Sequence, residues 1–374
     1  MIVKSIKLKN YRNFKELETK LNPKLNIFIG NNGQGKTNLL ESIFLCSIGK
    51  SFRANNENDL IHFHENNFEV NLGVDKINDS LIRKISFDFK KNSKKNIKIN
   101  DINLEKMSEL VGILNTVIFI PDDLRIIKGS PTERRRFINI DISQIKPKYK
   151  YLLKNYKKVL NQRNSIIKNL QKNQNKQVLE VWDEYIVNIG TELIYYRKKY
   201  IEDLNKYAAE IYDKISNGAE IFDLKYKCNI GNIEDLNKEE IRNLLRDKLK
   251  DSLESDIYRN CTLIGPHKDD IVFKINNKDF KFFGSQGQQR SAVLAIKLAE
   301  IEIVEDEIGE YPVLLLDDVL SELDNNRKKF LMDYIVNIQT IITSTDDKDL
   351  RELLENREKN VFYIKNGLLE KLEV

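Results

Sequence analysis

The chain has few of the residues that staple a fold or anchor it in a membrane. Among its 374 residues there are three cysteines, Cys46, Cys228 and Cys261, widely spaced and odd in number. That excludes a disulfide framework and points to reduced thiols in a cytosolic protein. There are three histidines, His62, His64 and His267, none with a cysteine or histidine partner at zinc-ligand spacing. His62 and His64 are expected on one side of a strand or loop. No stretch approaches the roughly 18 apolar residues of a membrane span. The first six residues read as a strand start, because no apolar signal-peptide core follows them. These absences predict a soluble, cytoplasmic protein with no membrane contact. The chain is 41% hydrophobic and 32% charged, which allows two or three domains with real cores. The net charge of +5 is small, so its distribution says more than its sum.

Around one stretch the rest is organised: Gly30-Asn31-Asn32-Gly33-Gln34-Gly35-Lys36-Thr37, with Asn38 next to it. It fills every fixed position of the phosphate-loop pattern G-x-x-x-x-G-K-[ST]. A short buried strand is predicted before it (Leu25 to Ile29) and an apolar-faced helix after it (Asn38 to Leu45). Glycines let the backbone N–H groups turn inward as an anion nest, reinforced by the helix N-terminus. Lys36 would reach the β- and γ-phosphates, and the Thr37 hydroxyl would ligate Mg²⁺. A nucleoside triphosphate site is expected here.

The other half of that site is predicted at Val313 to Asp318, a buried strand ending in two carboxylates. Adjacent acids after apolar residues need a cation. Asp317 would hold the Mg²⁺ through water, and Asp318 would orient or deprotonate the attacking water. A further strand, Thr340 to Thr345, ends in Asp346. Arg12 lies in the turn Asn10-Tyr11-Arg12-Asn13-Phe14; it is either a surface arginine or lies against the nucleotide.

Residues 2 to 9 alternate as a strand, with Ile2, Lys4, Ile6 and Leu8 against Val3, Ser5 and Lys7. Residues 68 to 104 hold alternating runs expected to form an antiparallel sheet. Val117 to Ile120 reads as a buried strand ended by Pro121. Arg134-Arg135-Arg136 opens a helix on which three consecutive arginines cannot share a face, so at least one points to a neighbour or ligand. From about 145 to 215, apolar residues recur at helical spacing across a polar break at 171 to 177. Two helices of about 25 to 35 residues, roughly 40–50 Å long, would fold back as an antiparallel arm. Between Lys146 and Lys176 there are ten basic residues and no acid. Lys154, Lys157 and Lys158 in this run are candidate contacts to a polyanion such as DNA. The alternative is a solvated lysine-rich surface set by a Lys/Asn/Ile-biased composition. Residues 236 to 256 read as an amphipathic helix. Neither an internal repeat nor a low-complexity tail is visible.

Ser285-Gln286-Gly287-Gln288-Gln289-Arg290 precedes a clean helix. Alone, it is a polar helix start with Ser285 as cap. Together with the other elements it resembles the signature loop of ATP-binding-cassette proteins. That implies Ser285, Gly287 and Gln288 complete the ATP site of a second subunit, hence an ATP-sandwiched homodimer. The chain as a whole resembles the RecF recombination-mediator family, in the broad class of SMC and Rad50 heads. The matching stretches run from end to end: Asn10 to Phe14, the phosphate loop, Gly49 to Arg53, Pro121 to Leu124, Gly129 to Phe137, Gly265 to Asp270, Ser285 to Arg290 and Leu315 to Asp324.

The resemblance implies an α/β fold: an ABC-type phosphate-loop ATPase with a mixed sheet and a helical arm. The expected division is 1–130 for the N-terminal part of the head, 131–260 for the arm and 261–374 for the C-terminal part. It further implies ATP and Mg²⁺ as cofactors, Arg12 at the nucleotide, and ATP-dependent dimerisation on duplex DNA or a single/double-strand junction. Slow hydrolysis would reset the clamp in gap repair, recombination and replication restart, under the SOS response. RecR is the implied partner, with RecO and RecA in the same pathway. Two positions depart from the wider cassette pattern: Asp318 stands where transporters usually have Glu, and Thr345 where they have a switch His. No glutamine lid loop is evident, and Pro121-Asp122-Asp123 occupies that region. The rival readings are a transporter ATPase, an SMC or Rad50 head, a nuclease-fused cassette, and a scaffold that holds ATP without cleaving it. The basic arm, the missing His and the extra strands oppose the first, and the short insertion opposes the second. The third lacks a second acidic metal cluster. The uncertain base, Asp318, keeps the last open.

Overall fold

Strand β1 (Ile2–Tyr11) pairs antiparallel with β2 (Phe14–Lys20) and β4 (Asn67–Asp75). Its register against β4 shifts between Val3 and Ser5. A bulge adds one residue and changes which side chains share a face. Val3 is therefore buried together with Ile6 and Leu8, whereas strict alternation had put it on the opposite side. Next come β3 (Leu25–Ile29), α1 (Lys36–Ile48), β5 (Arg83–Lys90), β6 (Asn96–Ile99), β7 (Ile102–Asn103) and β8 (Thr116–Phe119). The expected antiparallel sheet has the order β2-β1-β4-β5-β6-β7. Phe68, Val70, Leu72 and Val74 of β4 form its buried face. Here and below the chain is described from a computed structural model over residues 1–76, 82–170, 176–345 and 357–372. Asp346 and Lys172, and the side chain of Lys176, lie outside the described residues.

The chain divides into two compact units, Met1–Asp123 with Lys297–Val374, and Leu124–Ile296. The second contains α2 (Arg125–Lys128), α3 (Pro131–Ile145), α4 (Pro147–Leu170), α5 (Lys176–Ser216), β9 (Phe222–Lys227), α6 (Lys238–Asp251), α7 (Leu253–Arg259), β10 (Asp270–Ile275), β11 (Lys278–Asp279) and α8 (Phe280–Phe283). It also holds the start of α9 (Gln286–Ile308). It runs past residue 260 to Ile296, and β10 within it pairs along its whole length with β9, from Asp270↔Lys227 to Ile275↔Phe222. Besides α4 and α5 the inserted unit carries a three-stranded sheet of order β11-β10-β9. At 41 residues, α5 spans about 60 Å, longer than the periodicity indicated. Helix α3 starts in a capping box, Pro131 following a reciprocal Ser130–Glu133 pair.

A charged network lies at the centre of this second unit. Arg163 of α4 is fully buried, its Nε donating to Asp183 at 2.6 Å and its Nη1 to Asp256 at 2.6 Å and Thr262 at 2.8 Å. It was one of the ten basic residues of the expected polyanion face, and it points inward. Arg197 of α5 donates to the Pro266 carbonyl at 2.5 Å, to Asp269 at 3.3 Å and to the Tyr149 hydroxyl at 3.0 Å. Arg134 grips Asp270 through Nε at 2.6 Å and Nη2 at 2.8 Å, and Arg135 donates to the Asp269 carbonyl. Arg134 and Arg135 thus have neighbours within the fold. Gly265 has φ +130°, and a Cβ there would lie 2.5 Å from the Tyr156 hydroxyl. That closeness lets Tyr156 donate to His267 Nδ1 at 2.8 Å, while His267 Nε2–H donates to the Thr262 carbonyl at 2.9 Å. Burial pushes the imidazole down to about 4, so it sits neutral in the network.

The first unit resumes at Lys297 with the rest of α9, then β12 (Val313–Asp317), α10 (Asn325–Tyr334), β13 (Thr340–Ser344), β14 (Lys359–Lys365) and β15 (Leu368–Leu372). Its second sheet has the order β15-β14-β3-β13-β12-β8, parallel except for β15 against β14. Every residue of β3, β12 and β13 is buried. This explains their continuous apolar runs. The phosphate loop and Asp317 both lie at the carboxyl ends of these strands, where open α/β sheets bind ligands.

Candidate nucleotide site

The loop between β3 and α1 exposes Asn31, Asn32 and Gly33, while Gly35 and Lys36 are buried at its base. Gly35 has φ +109°, and a Cβ there would lie 2.4 Å from the side chain of Asn13. Only glycine fits. Asn13 in turn braces the loop, donating to the Gln34 carbonyl at 2.7 Å and accepting from the Asn38 amide at 2.9 Å. Lys36 Nζ folds back onto the carbonyls of Gly30 (2.6 Å) and Asn31 (3.0 Å). Burial lowers its pKa, against the pull of Asp318 and Asp317.

The Thr37 hydroxyl meets both oxygens of Asp317 at 2.8 Å, across a separation of 280 residues. Thr343, Asp317's neighbour in the β12–β13 register, donates to the same carboxylate at 2.8 Å. The two expected Mg²⁺ residues are therefore brought together. A hydroxyl and a carboxylate are the hard oxygen donors that this ion takes, so the residues present fit it. Asp318 has a left-handed backbone, φ 53°, its N–H donating to Thr343. Its Oδ1 is buried without a hydrogen-bond partner among the described residues. Burial raises its pKa, Asp317 adding to the effect and Lys36 opposing it. An acceptor oxygen so placed suits a base better than a structural carboxylate.

Arg12, also left-handed at φ 54°, has its guanidinium clamped by Glu41, with Nε and Nη2 each 2.9 Å from a carboxylate oxygen, while Nη1 donates to the Asp59 carbonyl at 2.8 Å. Glu41 is fully buried and also accepts from Ser51 at 2.5 Å. Arg12, Asn13 and Asn38 line a pocket of about 590 Å³ with His62, Phe63 and Lys91 on its other walls. Asn13 and Glu41 were not singled out in the sequence. For Glu41 a signal existed: an acid inside the apolar run Leu39 to Leu45 has to meet a cation. The loop at 121–123 has a bracing role: Asp123 accepts from the Ile120 amide at 2.8 Å and lies 3.9 Å from Lys297.

In the second unit, Ser285 and Gln288 form a reciprocal cap. The Ser285 amide donates to Gln288 Oε1 at 2.7 Å, and the Gln288 amide donates to Ser285 Oγ at 3.2 Å. The Gln288 side-chain NH₂ is held by Glu220 at 2.5 Å, and Tyr212 donates to the same carboxylate at 2.6 Å. Gln288 thus shapes the loop with both ends of its amide, and the Ser285 hydroxyl accepts from it. On α4, Lys154, Lys157 and Lys158 are exposed. Lys148 lies 3.3 Å from Glu192 of α5, so the acid-free run is answered from the neighbouring helix. Among the described residues no helix is long and apolar enough to cross a membrane.

Parallel strands carrying a phosphate loop and an Asp-Asp terminus, an antiparallel sheet in the same unit, and a capped helix start at Ser285 define an ATP-binding-cassette head of the SMC type. The RecF/RecN/SMC N-terminal domain family matches residues 2–369. The chain is 42% identical over 99% of its length to all of the DNA replication and repair protein RecF of Alkaliphilus oremlandii. It is 44% identical over 99% of its length to all of that of Clostridium perfringens. A solved structure of the recombination mediator protein RecF-ATPrS in the RecFOR pathway superposes with a TM-score of 0.92 at 37% identity, covering 99% of this chain and 98% of that one. An Smc head bound to a winged-helix domain of ScpA shares the fold, with a TM-score of 0.59 at 17% identity. The chain belongs to the RecF family.

Proposed function

We propose that this chain is an ATP-gated DNA-binding protein of DNA replication and repair, a molecular switch with a weak ATPase activity. The observation that carries this reading is the Thr37–Asp317 pair, which closes the phosphate loop against the strand end bearing Asp318. The inward N–H groups of residues 30 to 37 bind the phosphates, with Lys36 leaving the Gly30 carbonyl for the β- and γ-oxygens. Thr37 and Asp317 would hold Mg²⁺, which would supply neutralisation of the charge on the transferred phosphoryl group. Asp318 orients the attacking water and accepts its proton. Arg12, fixed by Glu41, and Asn38 face the base and ribose in the adjoining pocket. Ser285, with Gly287 and the Gln288-shaped loop, reaches the γ-phosphate bound to a second copy. ATP thereby joins two subunits and slow hydrolysis releases them. The exposed lysines of α4 hold duplex or junction DNA. RecR is the direct partner in this reading, with RecO and RecA in the same pathway, and the protein works in the cytoplasm.

Sedimentation without nucleotide, with ADP and with ATP tests it, using the native chain and the Lys36→Arg and Ser285→Arg variants. A dimer with ATP alone, absent in both variants, is expected. A monomer under every condition would leave Ser285 a helix cap and the ATP sandwich without support.

A further inference from the structure

The short helix α8, immediately before the signature loop, has one face inside the fold and two side chains outside it. Phe280 is fully buried, its ring edge-on to Phe222 with centroids 5.8 Å apart. Asp279 caps the turn through the Lys281 amide at 2.9 Å, and Gly284 N–H closes it on the Phe280 carbonyl at 3.0 Å. So anchored, the turn holds Phe282 and Phe283 outward, 75% and 65% exposed. Lys278 and Lys281 lie over the faces of Phe283 and Phe282, at 5.7 and 6.0 Å from the ring centroids. Adjacent exposed phenylalanines on a fixed turn expose apolar area with no return for the isolated chain. Such residues are enriched at interface centres.

Chain geometry says what covers them. Phe283 precedes Ser285 by two residues, so their Cα atoms are at most about 7 Å apart. A second copy brought against the Ser285 hydroxyl comes within reach of these rings. We infer that Phe282 and Phe283 are the apolar anchor of the ATP-dependent homodimer, seated on the surface flanking the phosphate loop of a second copy. This rests on the proposed action of Ser285 in trans. The two lysines keep the rings solvated and paired until the partner arrives.

The test is the dimer dissociation constant with ATP, by sedimentation of the full chain. It compares the native protein with the Phe282→Ser/Phe283→Ser pair and with Phe282→Tyr/Phe283→Tyr. Binding of a fluorescent ATP analogue to dilute monomer and DNA affinity without nucleotide are read alongside. The serine pair is expected to weaken the dimer roughly a hundredfold and the tyrosine pair less than about fivefold, with monomer nucleotide binding unchanged. A serine pair that dimerises like the native chain overturns the anchor and leaves the sandwich standing. A serine pair that keeps the dimer but loses DNA affinity overturns it in favour of base stacking on the rings. A native chain that stays monomeric with ATP removes the sandwich itself, and the anchor with it.

Discussion

The two units differ in where they place their buried charge. In the first, β3, β13 and β12 are buried along their length, and the site groups Thr37, Asp317 and Thr343 gather at their carboxyl ends. In the second, arginines and aspartates occupy the centre: Arg163 with Asp183 and Asp256, Arg197 with Asp269, and Arg134 with Asp270. A buried ion pair adds little stability compared with apolar packing, but breaking one leaves a desolvated charge. The head can therefore lose a site residue and keep its fold, whereas the inserted unit cannot lose a network residue cheaply. What such pairs give in return is a fixed register between segments far apart in sequence, here residues 134, 163, 197, 256 and 269.

The sharpest break of that contrast is Arg163→Met, which leaves Asp256 buried without its cation. Urea unfolding should show a loss of about 3–5 kcal/mol, with ATP binding at the phosphate loop unchanged. A loss within 0.5 kcal/mol would mean that the network is no different from a surface pair.

Acid should reach the two units differently through His267. Its folded pKa of about 4 lies below the unfolded value of about 6.5. Below pH 6.5 the unfolded chain therefore binds the extra proton and the folded chain does not. Stability is fully present above that pH and falls by about 3 kcal/mol as the pH drops towards 4. His267→Asn should flatten this part of the profile in pH-dependent thermal melts; an unchanged slope would place the acid sensitivity elsewhere.

The smallest effect is sought on the outer face of α4, opposite Arg163. Replacing Lys154, Lys157 and Lys158 by Gln should weaken DNA binding about tenfold and reduce the slope of log affinity against log salt by about 2 to 3. Stability should hold within about 0.5 kcal/mol. Unchanged affinity and slope would sink the arm-to-DNA assignment and leave those lysines a solvated surface.

The parts of the molecule that were legible in the sequence are contiguous. The phosphate loop, the strand before it and the helix after it follow from eight residues whose backbone and side chains act within one turn. The alternation at Phe68 to Val74 and the apolar run at Val313 to Leu316 report burial on one or both faces directly. Harder to read was whatever depends on a partner far along the chain. Three arginines in a row required a neighbour, but nothing local named Asp270. An acid-free run of lysines looked like one face until Arg163 turned inward and Glu192 came alongside Lys148. The end of the inserted unit was placed near 260 because the sequence there returns to turn-rich motifs, and nothing local showed that β10, beyond that point, pairs with β9.

By itself, then, the sequence determined the strand–loop–helix that carries the phosphate-loop pattern and the α/β head with a helical segment inserted in it. Short-range patterning suffices for these, because backbone geometry and burial period are set within a few residues. Only the tertiary structure decided that Thr37 meets Asp317, that Glu41 fixes Arg12, that Gln288 is bound to Glu220, and that the Gly265 to Asp270 segment is the clasp of the inserted unit. Each of these is a desolvated polar group satisfied by another 29 to 280 residues away, and the sequence records the demand for a partner without recording which partner meets it.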